Sequence, residues 1–524
     1  MAAPAEEEEA AAAAAAEGGD GDEEALKKLE ELVTELLHFR DGLPPAPEGD
    51  PGDPPDPDEP PPDPPRDPKT RSPPPRRDPL EEAMEETLRR MEAVQVSPAG
   101  RGRALVLVGR ALGVCPTAWG RAEEALSRAL KLEPGLGRAW IQLGELKWRR
   151  GDLEGARACF GGALQHGFPP PPKMGPSYGS PPLPPPWVCP TLGGPAPHFS
   201  RQGEEAEGRR LLSMALRAGG AGGDLRESLA QAEAAVRCDP TDGRSWYVLG
   251  NAYVSLFFAG GQSPDAARRA LGAYAQAERV DPAAANNPDL HLNRATLLQY
   301  QERFGAALEG LGRAAALSPG WAEPRRRQNQ LLRFLGALCG LLANGGNLRG
   351  KRRRGLSGPL PPSLLGPLGG VAEAGGGVAQ GGVSPLRPSP IPALRPGPNP
   401  HRVLLGRVLF TLVPPGGVPY AVGLRDGGGA VAAVTVYNAA PAWGLAVGDA
   451  LALPEPLLRQ HQLCHQGQTF SFTGIRVASP LSLVVNGRRV PPSALAPPRL
   501  ALLNEPGPPG PRQPPGAATP HGGN

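Results

Sequence analysis

The feature that most constrains this chain is a spacing that recurs. "AWIQLGELK" at 139–147 and "SWYVLGNAY" at 245–253 place tryptophan, leucine and glycine in one register, Trp140, Leu143 and Gly144 against Trp246, Leu249 and Gly250. A second helical stretch follows each, carrying Ala156, Phe160 and Ala163 in one case and Ala270, Tyr274, Ala277 and Pro282 in the other. Further copies of the second half supply Ala122, Leu126, Ala129 and Pro134, then Ala307, Leu311, Ala314 and Pro319, and "SLAQAEAAVRCDP" ends alike at Pro240. Gly144 and Ala156 are small where two helices of a hairpin cross and their backbones approach. Trp140, Leu143 and Phe160 fill the space between successive hairpins. Proline cannot continue the second helix and sets the turn. No hairpin buries its apolar face alone, so stacking provides the core.

This is the tetratricopeptide pattern, a helix–turn–helix repeat of about 34 residues. It predicts a mainly α superhelix over 23–343 whose long groove suits an extended peptide, although a fold does not name its ligand. The repeat at 246 carries "FFAGGQSP" between its helices, expected to project as a loop. Two amphipathic helices precede the array, with Leu26, Leu29, Leu32, Val33, Leu36 and Leu37 on one and Leu80, Met84, Leu88 and Met91 on the next.

Composition limits how much of the chain can pack. The 71 glycines and 69 prolines exceed a quarter of 524 residues, which predicts sizeable disordered segments. These are an acidic tail at 1–22, Pro-rich inserts at 41–79 and 167–203, a basic then Gly/Pro-rich linker at 344–400, and a tail at 489–524. Proline in 167–203 forbids a helix there. That segment is either a looped-out insertion or translated intron, and the same question attaches to 41–79 and 356–400. Between the last two segments, 401–488 reads as short β-type runs separated by Gly/Pro/Asn turns. This is compatible with a small Greek-key barrel.

Several function classes are disfavoured. A net charge of +2 predicts no bulk attraction to nucleic acid or membrane, leaving only local patches. Six scattered cysteines without a C-x-x-C pair predict reduced thiols in cytosol or nucleus. The N-terminus lacks the apolar stretch of a signal peptide, and no run approaches the ~18 apolar residues of a membrane helix. A protein of cytoplasm and nucleus, with no membrane partner, is expected. No nucleophile with its base, paired acids or phosphate loop is evident, so the expectation is a non-enzymatic protein without a cofactor. His461, Cys464 and His465 hint at a metal site but lack a fourth ligand. They read as a loop of the β domain.

The candidate binding residues are plain ones. Asn251 and Asn293 lie on first helices, where an amide can hold a peptide bond or serve as a surface or capping residue. Lys131, Arg217, Asp289 and Glu323 stand near helix ends and either read a peptide's charges or are solvated. "RGKRRRG" at 349–355 is a nuclear localisation signal, a phosphate-binding patch or a solubilising linker. The β domain's Phe410, Tyr420, Tyr437, Trp443, Phe470 and Phe472 fall mostly on alternating strand positions suited to a core, which weakens a nucleic-acid reading.

With the repeats, "NPDLHLNRATL" at 287–297 and "VTVYNAAPAWGLAVGDALALPEPLLR" at 434–459, the chain closely resembles the tetratricopeptide repeat protein 5 family of stress-responsive coactivators. The resemblance leaves out 1–22 and the Pro-rich stretches. It implies about six repeats followed by an oligonucleotide/oligosaccharide-binding (OB) barrel. It also implies two settings. One is recognition of the N-terminal Met-Arg-Glu of nascent tubulin at the ribosome exit, starting decay of tubulin mRNA through a decay adaptor. The other is nuclear scaffolding of an acetyltransferase coactivator complex. On this resemblance Lys131 and Arg217 match the cations that pair with the peptide's Glu, and Asp289 and Glu323 the carboxylates for its Arg and amine. Arg349, Lys351, Arg352, Arg353 and Arg354 match the family's basic residues that contact large-subunit rRNA. Arginine here replaces much of the expected lysine, which keeps the charge and changes the geometry.

Overall fold

The computed structural model describes residues 5–43, 78–167, 197–219, 222–348, 356, 358–369, 386–414 and 419–496. They fall into two compact units, Met1–Pro240 and Thr241–Leu503, and each is described by itself.

The first unit is helical. Helices α1 (Ala5–Gly42) and α2 (Pro79–Glu92) pack as a pair, followed by α3 (Arg101–Leu112) with α4 (Trp119–Leu132), α5 (Gly137–Arg149) with α6 (Leu153–Gly162), and α7 (Pro197–Ala218) with α8 (Gly222–Cys238). Leu29, Leu32, Val33 and Leu36 of α1 meet Met84, Leu88 and Met91 of α2 in one buried cluster, as their three- and four-residue spacing requires. The hairpin rule is visible at its glycines. A Cβ on Gly144 would lie 2.5 Å from Phe160 Cε1, and one on Gly109 2.6 Å from Leu126 Cγ. Phe160 therefore seats on the glycine of its own hairpin as well as reaching Ala215 and Leu212 of the next.

Two expectations change here. Helix α1 begins at Ala5, inside the segment for which disorder was expected, because alanine and glutamate are strong helix formers. Asp22 accepts hydrogen bonds from the Ser97 amide (2.8 Å) and the Ser97 hydroxyl. Helix α7 begins at Pro197, inside the Pro-rich insert where the sequence predicts no helix. Proline is tolerated in a first turn, where its missing N–H has no partner to lose.

The second unit joins helices to a sheet. It holds α9 (Gly243–Ala259), α10 (Pro264–Val280), the short α11 (Pro282–Ala285), α12 (Pro288–Tyr300), α13 (Phe304–Leu317) and α14 (Ala322–Ala343). In α9 and α10 a Cβ on Gly250 would lie 2.5 Å from Tyr274 Cε1, repeating the Gly144 contact. "FFAGGQSP" does not project. Phe257 and Phe258 extend α9 to Ala259, and their rings meet Tyr300 edge-on at 5.5 and 5.3 Å.

Ten strands follow: β1 (Arg387–Pro388), β2 (Gly397–Pro398), β3 (Arg402–Leu412), β4 (Tyr420–Asp426), β5 (Val431–Val436), β6 (Ala450–Pro454), β7 (Leu457–His465), β8 (Gln468–Val477), β9 (Val484–Val485) and β10 (Arg488–Arg489). The order is β10-β9-β6-β3-β4-β5-β8-β7-β2, with β1 parallel on β3, β5 parallel to β8, and the other neighbours antiparallel. Only Glu455 and Pro456 separate β6, paired with β3, from β7, paired with β8. The chain thus passes directly from one side of the path to the other, and strands of both sides share one core, Leu404, Leu451 and Leu453 with Leu458 and Ile475, as in a barrel. A register shift between Val408 and Phe410 bends the long β3 around it.

The domain is wider than 401–488. Ile391 and Leu394 enter the barrel core beside Leu404, Val422 and Ile475, and Ala494 does so at the other end. Leu365 packs on Val403, Ala452 and Val484. The segment expected to be linker therefore contributes core residues from 3₁₀ turns, which have no period for a sequence reading to detect.

Candidate peptide-binding residues and the buried face of the barrel

Lys131 and Arg217 belong to the first unit. Lys131 is exposed in the last turn of α4. Arg217, in the last turn of α7, is only 6% exposed, and its Nη1 donates to Ser213 Oγ at 3.3 Å. Ser213 and Ser228 are fully buried, with hydroxyls 2.9 Å apart. The guanidinium is thus held by a polar step between α7 and α8.

A cluster that sequence reading missed lies on α5 and α7. Arg138 pairs with Glu204 at 3.2 Å. Burial and the nearby Glu207 push the Glu145 carboxyl above its usual range, against the pull of Arg149, Arg110 and Arg138. Nothing in the sequence of Glu145 distinguishes it from a solvated helix residue, because its surroundings come from two other helices.

The remaining candidates belong to the second unit. Asp289 sits in the first turn of α12, where its amide donates to the Asn287 cap at 2.9 Å. Glu323 sits in the first turn of α14, where a carboxylate favours the helix dipole. Burial raises its pKa, but hydrogen bonds from Arg326 and Arg327 outweigh this and hold it below the usual range. Arg327 Nε lies 2.7 Å from Glu323 Oε1, and its Nη1 donates to Thr296 Oγ1 at 2.8 Å.

Asn251 and Asn293 come together, but beneath the surface. They are 0% and 2% exposed, and Asn293 Nδ2 donates to Asn251 Oδ1 at 3.2 Å. Tyr274 donates to the same oxygen at 2.6 Å. They are neither surface nor capping residues; they join α9, α10 and α12 through a buried polar network. Arg349, Lys351, Arg352, Arg353 and Arg354 lie outside the described residues.

The barrel's outer face is occupied by the helices. Leu409, Phe410, Ala421, Ala433, Phe470 and Phe472 share one buried cluster with residues of α13 and α14, among them Phe304, Phe334, Leu335 and Leu338. Burial on both faces explains why β4 and β5 read as continuous apolar runs without alternation. Most of the aromatics expected in a core are indeed buried, but Phe410, Phe470 and Phe472 face the repeats rather than the barrel interior. Strand alternation puts His461 and His465 on one face of β7 and Cys464 on the other. His461 stacks on Phe472 at 4.6 Å, and His465 Nε2 lies 3.2 Å from Gln328 Nε2.

A buried carboxylate fastens this junction. Glu302, in the turn between α12 and α13, has φ +62° and a side chain 2% exposed. Thr435 and Tyr437 hydroxyls donate to its Oε1 at 2.6 and 3.2 Å. Arg459 reaches Oε2 at 3.2 Å and Arg476 reaches Oε1 at 3.5 Å. Both arginines also donate to the same turn, Arg459 to Gln301 O (2.6 Å) and Arg476 to Tyr300 O (2.7 Å). Beside them Gln262 and Asn438 exchange amide hydrogen bonds at 2.6 and 2.9 Å, and Tyr300 donates to Gln262. "FFAGGQSP" thus serves the junction.

Tetratricopeptide hairpins, the last of them packed on an OB barrel, define an adaptor-type tetratricopeptide protein. The family model for the tetratricopeptide repeat protein 5 OB fold domain matches residues 385–499. Tetratricopeptide repeat protein 5 of Homo sapiens is 40% identical over 475 residues, covering 88% of this chain and 93% of that protein. The Bos taurus protein of the same name is 40% identical over 472 residues, covering 89% and 94%, and that of Mus musculus 43% over 415, covering 78% and 86%. Among solved structures, YrrB, a TPR protein with an unusual peptide-binding site, is 15% identical with a TM-score of 0.30, covering 47% of this chain and 98% of that one. The chain belongs to the tetratricopeptide repeat protein 5 family.

Proposed function

We propose that this protein is a non-enzymatic adaptor that holds the N-terminal Met-Arg-Glu of nascent tubulin at the ribosome exit and starts decay of the tubulin mRNA. The observation that carries the reading is the set of four charges at helix ends, Lys131, Arg217, Asp289 and Glu323, in a chain of this family; of these Arg217 is buried and reaches a ligand only by leaving Ser213. Two cations suit the peptide's glutamate; two carboxylates suit its arginine and terminal amine. Asn251 and Asn293 support the surface from below rather than touching the ligand. The basic run at 349–354 supplies the charge for rRNA phosphates, and the same role needs a second partner that carries the decay machinery. Burial of the barrel's aromatic face disfavours base stacking as its task, and so favours this reading over one led by nucleic acid. Cytoplasmic action follows, with nuclear coactivator scaffolding as the alternative use of the same repeats.

The test is binding of a labelled Met-Arg-Glu-starting peptide to the full chain. Asp289→Asn and Lys131→Gln should each weaken it about tenfold or more, as loss of a charge-assisted pair implies, with circular dichroism unchanged. Unaltered affinity in both variants would sink the assignment. Neutralising 349–354 should release the protein from translating ribosomes. If that change blocks only nuclear entry, the scaffold reading takes its place.

A further inference from the structure

A recess lies in the Thr241–Leu503 unit, and none of the four charged candidates lines it. It has a volume of about 360 Å³ and opens between α10, α12 and α13. Its apolar lining is Leu271, Leu298 and Ala306, of which Leu298 is 5% exposed and belongs to the core. Its polar lining is Arg294, Arg303 and Arg313, with Glu309 as the one acid. Gly310 lines it too and adds no side chain to it.

The three arginines are not equally engaged. Arg294 is paired with Glu278 at 2.6 Å. Arg313 donates to the Ala285 carbonyl at 3.2 Å, which orients it without neutralising it. Arg303 is the N-cap residue of α13 and is exposed, with no side-chain capping bond. Arg303 and Arg313 against Glu309 leave the rim positive. Planar guanidinium groups pair with carboxylates two bonds at a time. No ring lines the recess, so it offers no platform for a base.

We propose that this recess is a docking site for an acidic peptide segment of a partner protein, seating one leucine-sized side chain on Leu271, Leu298 and Ala306. Carboxylates on either side of that side chain meet Arg303 and Arg313. The site lies outside the Met-Arg-Glu candidates, so an adaptor could hold both ligands at once.

The probe is a fluorescein-labelled Asp-Leu-Glu-Glu-Leu-Asp peptide titrated with the full chain, alongside its Asn-Leu-Gln-Gln-Leu-Asn counterpart. The acidic peptide should bind with saturation, and its amide counterpart at least about tenfold more weakly. Arg303→Glu/Arg313→Glu should cost the acidic peptide a similar factor while the Met-Arg-Glu peptide binds as before. Arg303→Gln alone, at an exposed position, should give a smaller loss and guards against misfolding of the double variant. Equal binding of the two peptides would overturn the proposal. So would unchanged affinity in the variants, displacement by the Met-Arg-Glu peptide, or displacement by a uridine heptanucleotide at comparable concentration.

Discussion

Two glycines decide how closely the hairpins pack. A methyl group on Gly144 or Gly250 would meet the edge of Phe160 or Tyr274 at 2.5 Å, and both rings are fully buried with nowhere to turn. Alanine gains about 1 kcal/mol of helix propensity over glycine, but overpacking a filled core costs about 1–3 kcal/mol. The second effect wins wherever the ring cannot yield. Gly144→Ala and Gly250→Ala should therefore lower stability, whereas Gly272→Ala, with open space around it, should raise it by up to about 1 kcal/mol. Urea midpoints for the three variants give the signs. A stabilising Gly144→Ala would mean that the ring contact does not set the hairpin. These glycines were legible in sequence because their partners lie in the same repeat. Asn251 was not: its partner Asn293 comes from α12, beyond its own hairpin, and an amide reads alike whether solvated or buried.

At the scale of elements, the turn between α12 and α13 is joined to β5, β7 and β8 through Glu302. A carboxylate with 2% exposure is tolerable only because two hydroxyls and two guanidinium groups replace its water. Glu302→Ala should then cost about 3–5 kcal/mol, since Arg476 would be left buried without its counter-charge; a loss under about 1 kcal/mol would show the network to be incidental. The same place carries a pH dependence. Burial lowers the pKa of His461, Glu302 at 4.0 Å opposes this, and Arg459 adds to the lowering; the ring itself lies between Phe304 and Phe472. A depressed histidine is bound neutral in the fold. Its contribution is complete above the unfolded value of about 6.5 and fades as pH falls below it. His461→Phe keeps the ring stack, so it should lose less stability than the parent between about pH 7 and 5. Parallel loss in both would remove His461 from the account. No sequence signal marked Glu302, because "YQERFG" places an ordinary acid in an ordinary turn, and its function depends on strands some 130 residues later.

For the whole molecule, the repeat array and the barrel were both legible, one from its period and the other from its β runs together with the resemblance. What escaped was their union. Strands β4 and β5 are apolar on both faces, and a period-two reading has no way to say what covers the second face. In the Thr241–Leu503 unit it is the end of the helical array. Repeat arrays need a polar terminal cap to remain soluble, yet α13 and α14 end on Phe304, Phe334, Leu335 and Leu338. The barrel supplies that cap, and the helices in turn cover Phe410, Phe470 and Phe472. Cutting the chain after residue 343 should therefore not yield a free peptide-binding array. It should expose a contiguous apolar face and give a protein that self-associates, measurable as a concentration-dependent mass in sedimentation. The isolated barrel with its Leu365 segment, 358–496, should do the same through its own half of that face. Monomeric behaviour of both fragments would mean that the shared cluster is a contact between two self-sufficient domains. Self-association of both, relieved when they are mixed, would make the barrel an obligate part of the repeat fold. The Met-Arg-Glu affinity of the mixture would then exceed that of the repeats alone.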